Sequence, residues 1–363
     1  MLMPEQVESI KAGDAVPIQT SRPFPVPVTA LGPGIAMSAV VAIIAYFAVP
    51  YVARVVPIPG MVIALILGIL LNPIVAGAAL QPGMAFCVRT VLRWAVALLG
   101  LRVGLADIAA LGLGTASLIV ISMIVTLAAG FLFAHWSEQT PGFGALIGAG
   151  TAVCGASATL AVSTVVPNYP GKQADIAFVV VAVNAFATIG MVIYPPLCAF
   201  LHLDQTATGV MLGGTIHDVA QVVGAGYAVS ETVGNTAVIV KLFRVFLLLP
   251  VVLSVGWYLG SFGQQQGEAR VPMPVFALVF LALCTLNSAV PLVPALLPAY
   301  APIKNVLVEV STWGLLLAIG ALGLGTSIKT ITGLGWRHVT SVLGSTMVIL
   351  IIVTAGLTLM RFI

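Results

Sequence analysis

The chain has 363 residues, 60% of them hydrophobic and only 7% charged, with a mean hydropathy of +1.16 and a formal net charge of +3. Soluble domains carry about 25% charged residues, so most of this surface is built to face lipid and a water-soluble fold is excluded. The cations are too scattered for a nucleic-acid-binding surface.

The N-terminal stretch Met1–Ala30 contains Glu5, Glu8, Lys11 and Asp14, followed by the alternating prolines of Arg22-Pro-Phe-Pro-Val-Pro27. It lacks the apolar core and small-residue cleavage site of a secretion signal. Alternating prolines suit an extended, polyproline-like arm, so residues 1–30 are expected to form a flexible arm without a functional role. Residues 31–363 are expected to form a single transmembrane domain.

Apolar windows bounded by Pro, Gly or charge follow, each near the 17–25 residues of a membrane-spanning helix. They fall at 33–52, 58–76, 86–105, 111–135, 143–166, 174–201, 206–229, 236–260, 272–290, 304–326 and 336–361, which predicts an all-α polytopic protein with about eleven spans. The longest polar loop, Ser261–Val271, is too short for a soluble domain. Counted over loops and span ends, Lys and Arg number seven on the N-terminal side (Lys11, Arg22, Arg89, Arg93, Arg270, Lys329, Arg337) and five opposite. The positive-inside rule then places the N-terminus in the cytoplasm. Leu101, Gly104, Gly112 and Gly114 recur 221 residues on as Leu322, Gly325, Gly333 and Gly335. Copies seven spans apart point in opposite directions, as the inverted halves of secondary transporters do. Chance in a chain with 37 glycines is the alternative.

Three groups carry the polar chemistry. In the fifth span Gly148–Ala158 reads GAGTAVCGASA, with Thr151, Cys154, Ser157 and Thr159 set among Gly148, Gly150 and Gly155. Each interior Gly weakens a helix by about 0.8–1.0 kcal/mol relative to Ala, and a break at membrane depth exposes backbone groups that only protein or a watery cavity can satisfy. The second half-helix would then present free N–H groups at its positive dipole end, a setting for an anion. Close packing through Gly144, Gly148 and Ala152 is the structural alternative; it explains the glycines but not the hydroxyls and the thiol. In the seventh span, Gly213–Gly226 contains Thr215, His217, Asp218 and Gln221. On a helix His217 and Gln221 share a face, whereas His217 and Asp218 diverge by about 100°. His217 could relay a proton or serve as a hydrogen-bonded structural histidine. In the eighth, Lys241 and Arg244 lie three apart on one face and require a partner: Asp218, Glu231, Glu309 or an anionic ligand. Snorkelling to the headgroups is the alternative. Arg93 and Arg102 are read as interfacial, and Asn184, Asn287 and Ser288 as path-lining or helix-bridging.

Enzyme chemistry finds no foothold. There is no GxxxxGK[ST], HExxH or GxSxG, and no closely spaced acid pair for Mg²⁺ within a span. Cys87, Cys154, Cys198 and Cys284 lie in apolar stretches without ligand spacing. The expectation is a non-enzyme without cofactor or metal.

The chain resembles the YeiH-type family of bacterial membrane proteins, often labelled sulfate exporters. The resemblance rests on Gly150-Thr-Ala-Val-Cys-Gly-Ala-Ser-Ala158, Thr215-Ile-His-Asp-Val-Ala-Gln-Val222, and Lys241 with Arg244-Val245. Pro59-Gly60 to Leu67-Gly68, Leu99-Gly-Leu-Arg102 and Leu286-Asn-Ser288 support it. It covers the chain from about residue 35 to its end. Asp218 stands where the family more often has Glu, which keeps the charge but shortens its reach. The resemblance implies a multi-pass protein of the bacterial inner membrane, with the inverted repeats and crossed broken helices of the cation:proton antiporter and anion transporter superfamily. The combined expectation is a secondary active transporter, an exporter of sulfate or a related sulfur oxyanion. Thr151, Cys154, Gly155, Ser157, His217, Gln221, Lys241 and Arg244 would bind the substrate, and Asp218 or His217 would couple it to protons or Na⁺. The alternatives are a cation:proton exchanger using Asp218, or a membrane protein without transport activity. The expected partners are the anion, the bilayer and a further copy in a homo-oligomer, with no nucleic acid.

Overall fold

Lipid offers no partner to a backbone N–H or C=O, so an apolar segment in the bilayer is forced into a helix. A computed structural model describes residues 28–52, 60–75, 77, 79–260, 275–325 and 336–360, and every regular element among them is helical. The chain is an all-α polytopic membrane protein. Among the described residues, eight helices are long and apolar enough to cross a membrane.

In chain order the helices are α1 (Val28–Val52), α2 (Gly60–Val75), α3 (Gln81–Leu101), the short α4 (Leu105–Ala110) and α5 (Gly112–Trp136). There follow α6 (Pro141–Ala152), α7 (Ala156–Ser163), α8 (Lys172–Phe200), α9 (Gln205–Thr215) and α10 (Val219–Val229). The last are α11 (Glu231–Phe246), which runs on into α12 (Leu248–Gly260), then α13 (Val275–Ala289), α14 (Leu297–Gly325) and α15 (Trp336–Met360).

Helices α1, α2, α3, α13 and α14 form one bundle, and α5 to α12 with α15 form another. Glycine sets the closeness of the first. A Cβ on Gly34 would overlap the α3 backbone at Leu80 and Gly83, and one on Gly83 would overlap α1 at Leu31 and Gly34. A Cβ on Gly68 would sit 2.7 Å from the Gly320 carbonyl, and one on Gly323 would be 2.5 Å from that of Leu65. Such backbone approach replaces the hydrophobic drive that lipid cannot supply.

Both glycine-punctuated segments break, but neither crosses. Gly142, at the start of α6, lies against Tyr169 and Val166 beyond the end of α7, while Gly150 lies against Thr159. Helices α6 and α7 therefore run side by side and return to the face they left. On the other side, Gly209 packs on Thr236 and Gly213 on Ala237 and Val240, so α9 runs parallel to α11. Gly226 packs on Gly234, so α10 runs antiparallel to α11 and hence to α9. The 29-residue α8 connects the hairpins and puts their bases on opposite faces. At about 1.5 Å per residue, the 12 residues of α6 reach only about halfway through a core of about 30 Å.

Two of the eleven expected spans are thus re-entrant hairpins, and the inversion lies in how these two approach each other. The loop between α7 and α8 falls on the N-terminal face, so Lys172 changes sides. Arg89 and Arg93, counted at a span end, flank the middle of α3 and both leave the tally. The count becomes six against four, so the margin behind the expected cytoplasmic N-terminus is unchanged. The proline-rich arm up to residue 27, and Gly333 and Gly335 of the 221-residue echo, lie outside the described residues.

Cysteine labelling tests this topology. Gln139→Cys and Asn168→Cys should react with an impermeant maleimide from one face, Gln205→Cys and Thr232→Cys from the other. Labelling of positions 139 and 168 from opposite faces would restore the eleven-span topology.

Candidate functional site

The first hairpin turns at Val153–Gly155. Gly155 has φ +65° and ψ −128°, a conformation that L side chains rarely adopt, so a glycine is needed here. The second turns at Ile216–Asp218, where Ile216 and Asp218 are extended and Asp218 Oδ1 accepts the Val219 N–H at 2.8 Å. The two tips touch: a Cβ on Gly155 would lie 3.7 Å from that of Asp218 and 3.6 Å from the His217 carbonyl oxygen.

Each hairpin brings a helix C-terminus, with unpaired carbonyls and partial negative charge, to this depth. Lys241 and Arg244 satisfy both. Lys241 Nζ donates to the carbonyls of Val153 (2.8 Å), Ile216 (2.9 Å) and His217 (2.5 Å). Arg244 Nε donates to Ala152 (3.1 Å), and Nη2 to Ala152 (2.7 Å) and Thr151 (2.9 Å). Its Nη1 serves Gly213 (3.1 Å), Gly214 (2.9 Å) and Ile216 (3.4 Å). Both side chains are 0% exposed. An ammonium has three donors and a guanidinium five, so neither keeps one for a solute. The expectation that they contact the anion is corrected: their ligands are backbone carbonyls. Of the acids offered as partners, two are used elsewhere, Glu231 by Arg102 at 2.6 Å and Glu309 by the Trp313 indole N–H at 3.1 Å, while Asp218 lies within the field of Lys241.

His217 is likewise committed. Its Nδ1 lies 3.2 Å from the Thr151 carbonyl, which can only accept, and its Nε2 lies 2.9 Å from Thr346 Oγ1. Thr151 Oγ1 donates to the Ile147 carbonyl (2.8 Å) and pairs with Ser345 Oγ at 2.7 Å. Neighbouring residues of α15 therefore hold one tip each. The two side chains are 1% and 0% exposed, which turns both away from any open path. Ser345 and Thr346 are not among the residues expected from sequence; their signal is the run of hydroxyls Thr340, Ser341, Ser345 and Thr346 on an otherwise apolar helix.

The accessible side of the tips carries other groups. Ser157 is exposed in the first turn of α7 and Asp218 is half-buried at the start of α10. Cys154 is buried against the Ala158 backbone. Gln221 is buried and donates from Nε2 to Asn184 Oδ1 (2.9 Å) and Thr188 Oγ1 (3.4 Å), and Asn184 is exposed. Arg93 is exposed on α3, in the other bundle, and with Lys241 is one of the cations whose field reaches Asp218. Gly155 supplies no side-chain cap to α7, and the leading N–H groups of a helix have no intrahelical partner. Two positive helix ends, α7 from one face and α10 from the other, therefore meet at this level.

The family model described as conserved hypothetical protein 698 matches residues 33–342. The chain belongs to the UPF0324 family of membrane proteins. The UPF0324 membrane protein TauZ of Paracoccus pantotrophus is 40% identical over 336 residues, which cover 90% of this chain and 95% of that one. A UPF0324 membrane protein of Chlorobaculum tepidum is 38% identical over 75% of this chain and 74% of its own. One from Rhizobium meliloti is 36% identical over 90% and 92%. The resemblance read from the motifs is borne out at the level of the family.

Removing Arg244 strands the carbonyls of Ala152, Gly213 and Gly214, each at about 1–3 kcal/mol if unpaired in a buried site. Arg244→Ala should therefore not leave folding intact. It should lower the melting temperature sharply in detergent, by the equivalent of about 3 kcal/mol or more. An unchanged melting temperature would show that water takes over those carbonyls.

Proposed function

We propose that this UPF0324 chain is a secondary active transporter of the bacterial inner membrane that exports a small anion, sulfate or a related sulfur oxyanion. The observation that carries this reading is the meeting of the α7 and α10 N-termini deep in the protein, next to the accessible Ser157. Backbone N–H groups at a helix start bind oxyanions directly. Ser157 adds a hydroxyl donor, and Gly155 lets a solute approach the backbone closely. Cys154, Thr151 and His217 hold the tips in shape. Lys241 and Arg244 offset the carbonyl ends of α6 and α9, which leaves Asp218, the N-cap of α10, as the negative group beside the positive ends of α7 and α10.

Asp218 is the coupling group in this reading. It is a half-buried carboxylate at the same tip, where an anion's arrival disfavours its charged form and favours proton uptake. Transport then follows from relative movement of the two bundles around the tips, one bundle bringing Arg93 and the other Asp218. The same carboxylate favours a second reading, cation:proton exchange, in which Asp218 holds the ion and the helix starts serve only as caps.

Flux into proteoliposomes separates the two. Labelled sulfate should enter against a pH gradient, Ser157→Ala should weaken uptake roughly tenfold for one charge-assisted hydrogen bond, and Asp218→Asn should remove its pH dependence. Proton movement driven by Na⁺ or K⁺, with no response to any oxyanion, would establish the second reading instead.

A further inference from the structure

Gln221 is fully buried in the first turn of the 11-residue α10, and its Oε1 has no hydrogen-bond partner. The orientation of its amide is fixed by its neighbours. Thr188 Oγ1 donates its single proton to the Asn184 carbonyl at 3.0 Å, so towards Gln221 it can only accept. With Thr188 bonded in this way, Gln221 has its NH₂ on Asn184 Oδ1 and Thr188 Oγ1, which leaves the oxygen, a pure acceptor, as the free end. Asp218 and Gln221 occupy the N-cap and third helical positions of α10, where a glutamine often turns back to the N-cap N–H. Here the side chain is drawn to α8 instead, and the oxygen stays unpaired.

A buried acceptor without a donor is costly, and a site that holds one discriminates strongly in favour of a ligand that supplies the missing N–H or O–H. The helix starts of α7 and α10 ask for an oxyanion; Gln221 Oε1 asks for a donor. We propose that the solute is an oxyanion that also carries its own hydrogen-bond donor, an N–H or O–H a few bonds from the anionic group, which Gln221 Oε1 accepts. This rests on the oxyanion reading of the helix starts and narrows it to hydroxylated, aminated or protonated oxyanions. Fully deprotonated sulfate is then a weaker occupant of the same site.

Calorimetric titration of the full chain in nanodiscs tests this with two sulfonates of equal length, 2-hydroxyethanesulfonate and 1-propanesulfonate, and with sulfate. The hydroxylated compound should bind about tenfold or more tightly than its methyl counterpart, as one hydrogen bond to an otherwise unpaired buried acceptor requires. Gln221→Met should bring that ratio to about one. The wild-type comparison needs no variant, so a poorly folded Gln221→Met leaves the test intact. Equal binding of the two sulfonates would mean that water serves Oε1, and would overturn the inference while leaving the oxyanion reading in place. Sulfate binding without either sulfonate would overturn it too, as would a ratio that survives in Gln221→Met. No oxyanion binding at all would overturn both.

Discussion

Two cations on α11 hold together what the bilayer would otherwise forbid. A helix that stops halfway through lipid leaves carbonyls without partners, and two such helices stop here, α6 and α9. Lys241 and Arg244, three residues apart on one face, reach the carbonyl ends of both hairpins. Burying two positive charges is expensive, and it is tolerated because every donor finds an oxygen. The two hairpin ends are in turn held against each other, since one ammonium bridges Val153 of the first and His217 of the second. Without these cations neither turn has a reason to lie at this depth.

That arrangement sorts the polar residues into two classes. Thr151 and His217 face inward and join the tips to Ser345 and Thr346 of α15. Ser157, Asp218 and Asn184 face accessible space, and Gln221 sits between the classes, buried but incompletely bonded. The negative ends of the broken helices are neutralised from behind by α11, and the positive ends are left forward. In the transporter proposed above, an anion would be held by polarity of the backbone itself, with the charged side chains acting at one remove. On the face where α9 and α10 have their base, Arg102 joins the two bundles by pairing with Glu231 and with Thr312. Any movement between the bundles has to loosen that contact.

Much of this was legible in the chain. The glycines and small hydroxyls of Gly148–Ala158 and Gly213–Gly226 marked where the helices fail, and both fail there. What the residues could not convey is the path beyond the break. Two half-helices of 12 and 8 residues with a short turn have the same hydropathy and length as one spanning helix, and only contacts such as Gly142 with Tyr169 reveal that the chain doubles back. The partners of the two cations are hidden for a related reason: they are mainly main-chain carbonyls, which every residue has and which no sequence pattern marks. Arg93 was placed at the interface because its window was drawn from residue 86, whereas α3 begins at Gln81 and puts it near Asp218. Ser345 and Thr346 were passed over because lone hydroxyls in an apolar helix are ordinarily satisfied by their own backbone.

The account turns on where the two hairpin ends lie and what holds them. A density map of the protein in a lipid nanodisc, at a resolution that shows side chains, measures this directly. The structure requires turns at residues 153–155 and 216–218 near the bilayer midplane, with the Lys241 ammonium within hydrogen-bonding distance of carbonyls from both. Continuous helices through residues 141–163 or 205–229, or a Lys241 side chain extended to the headgroups, would contradict it.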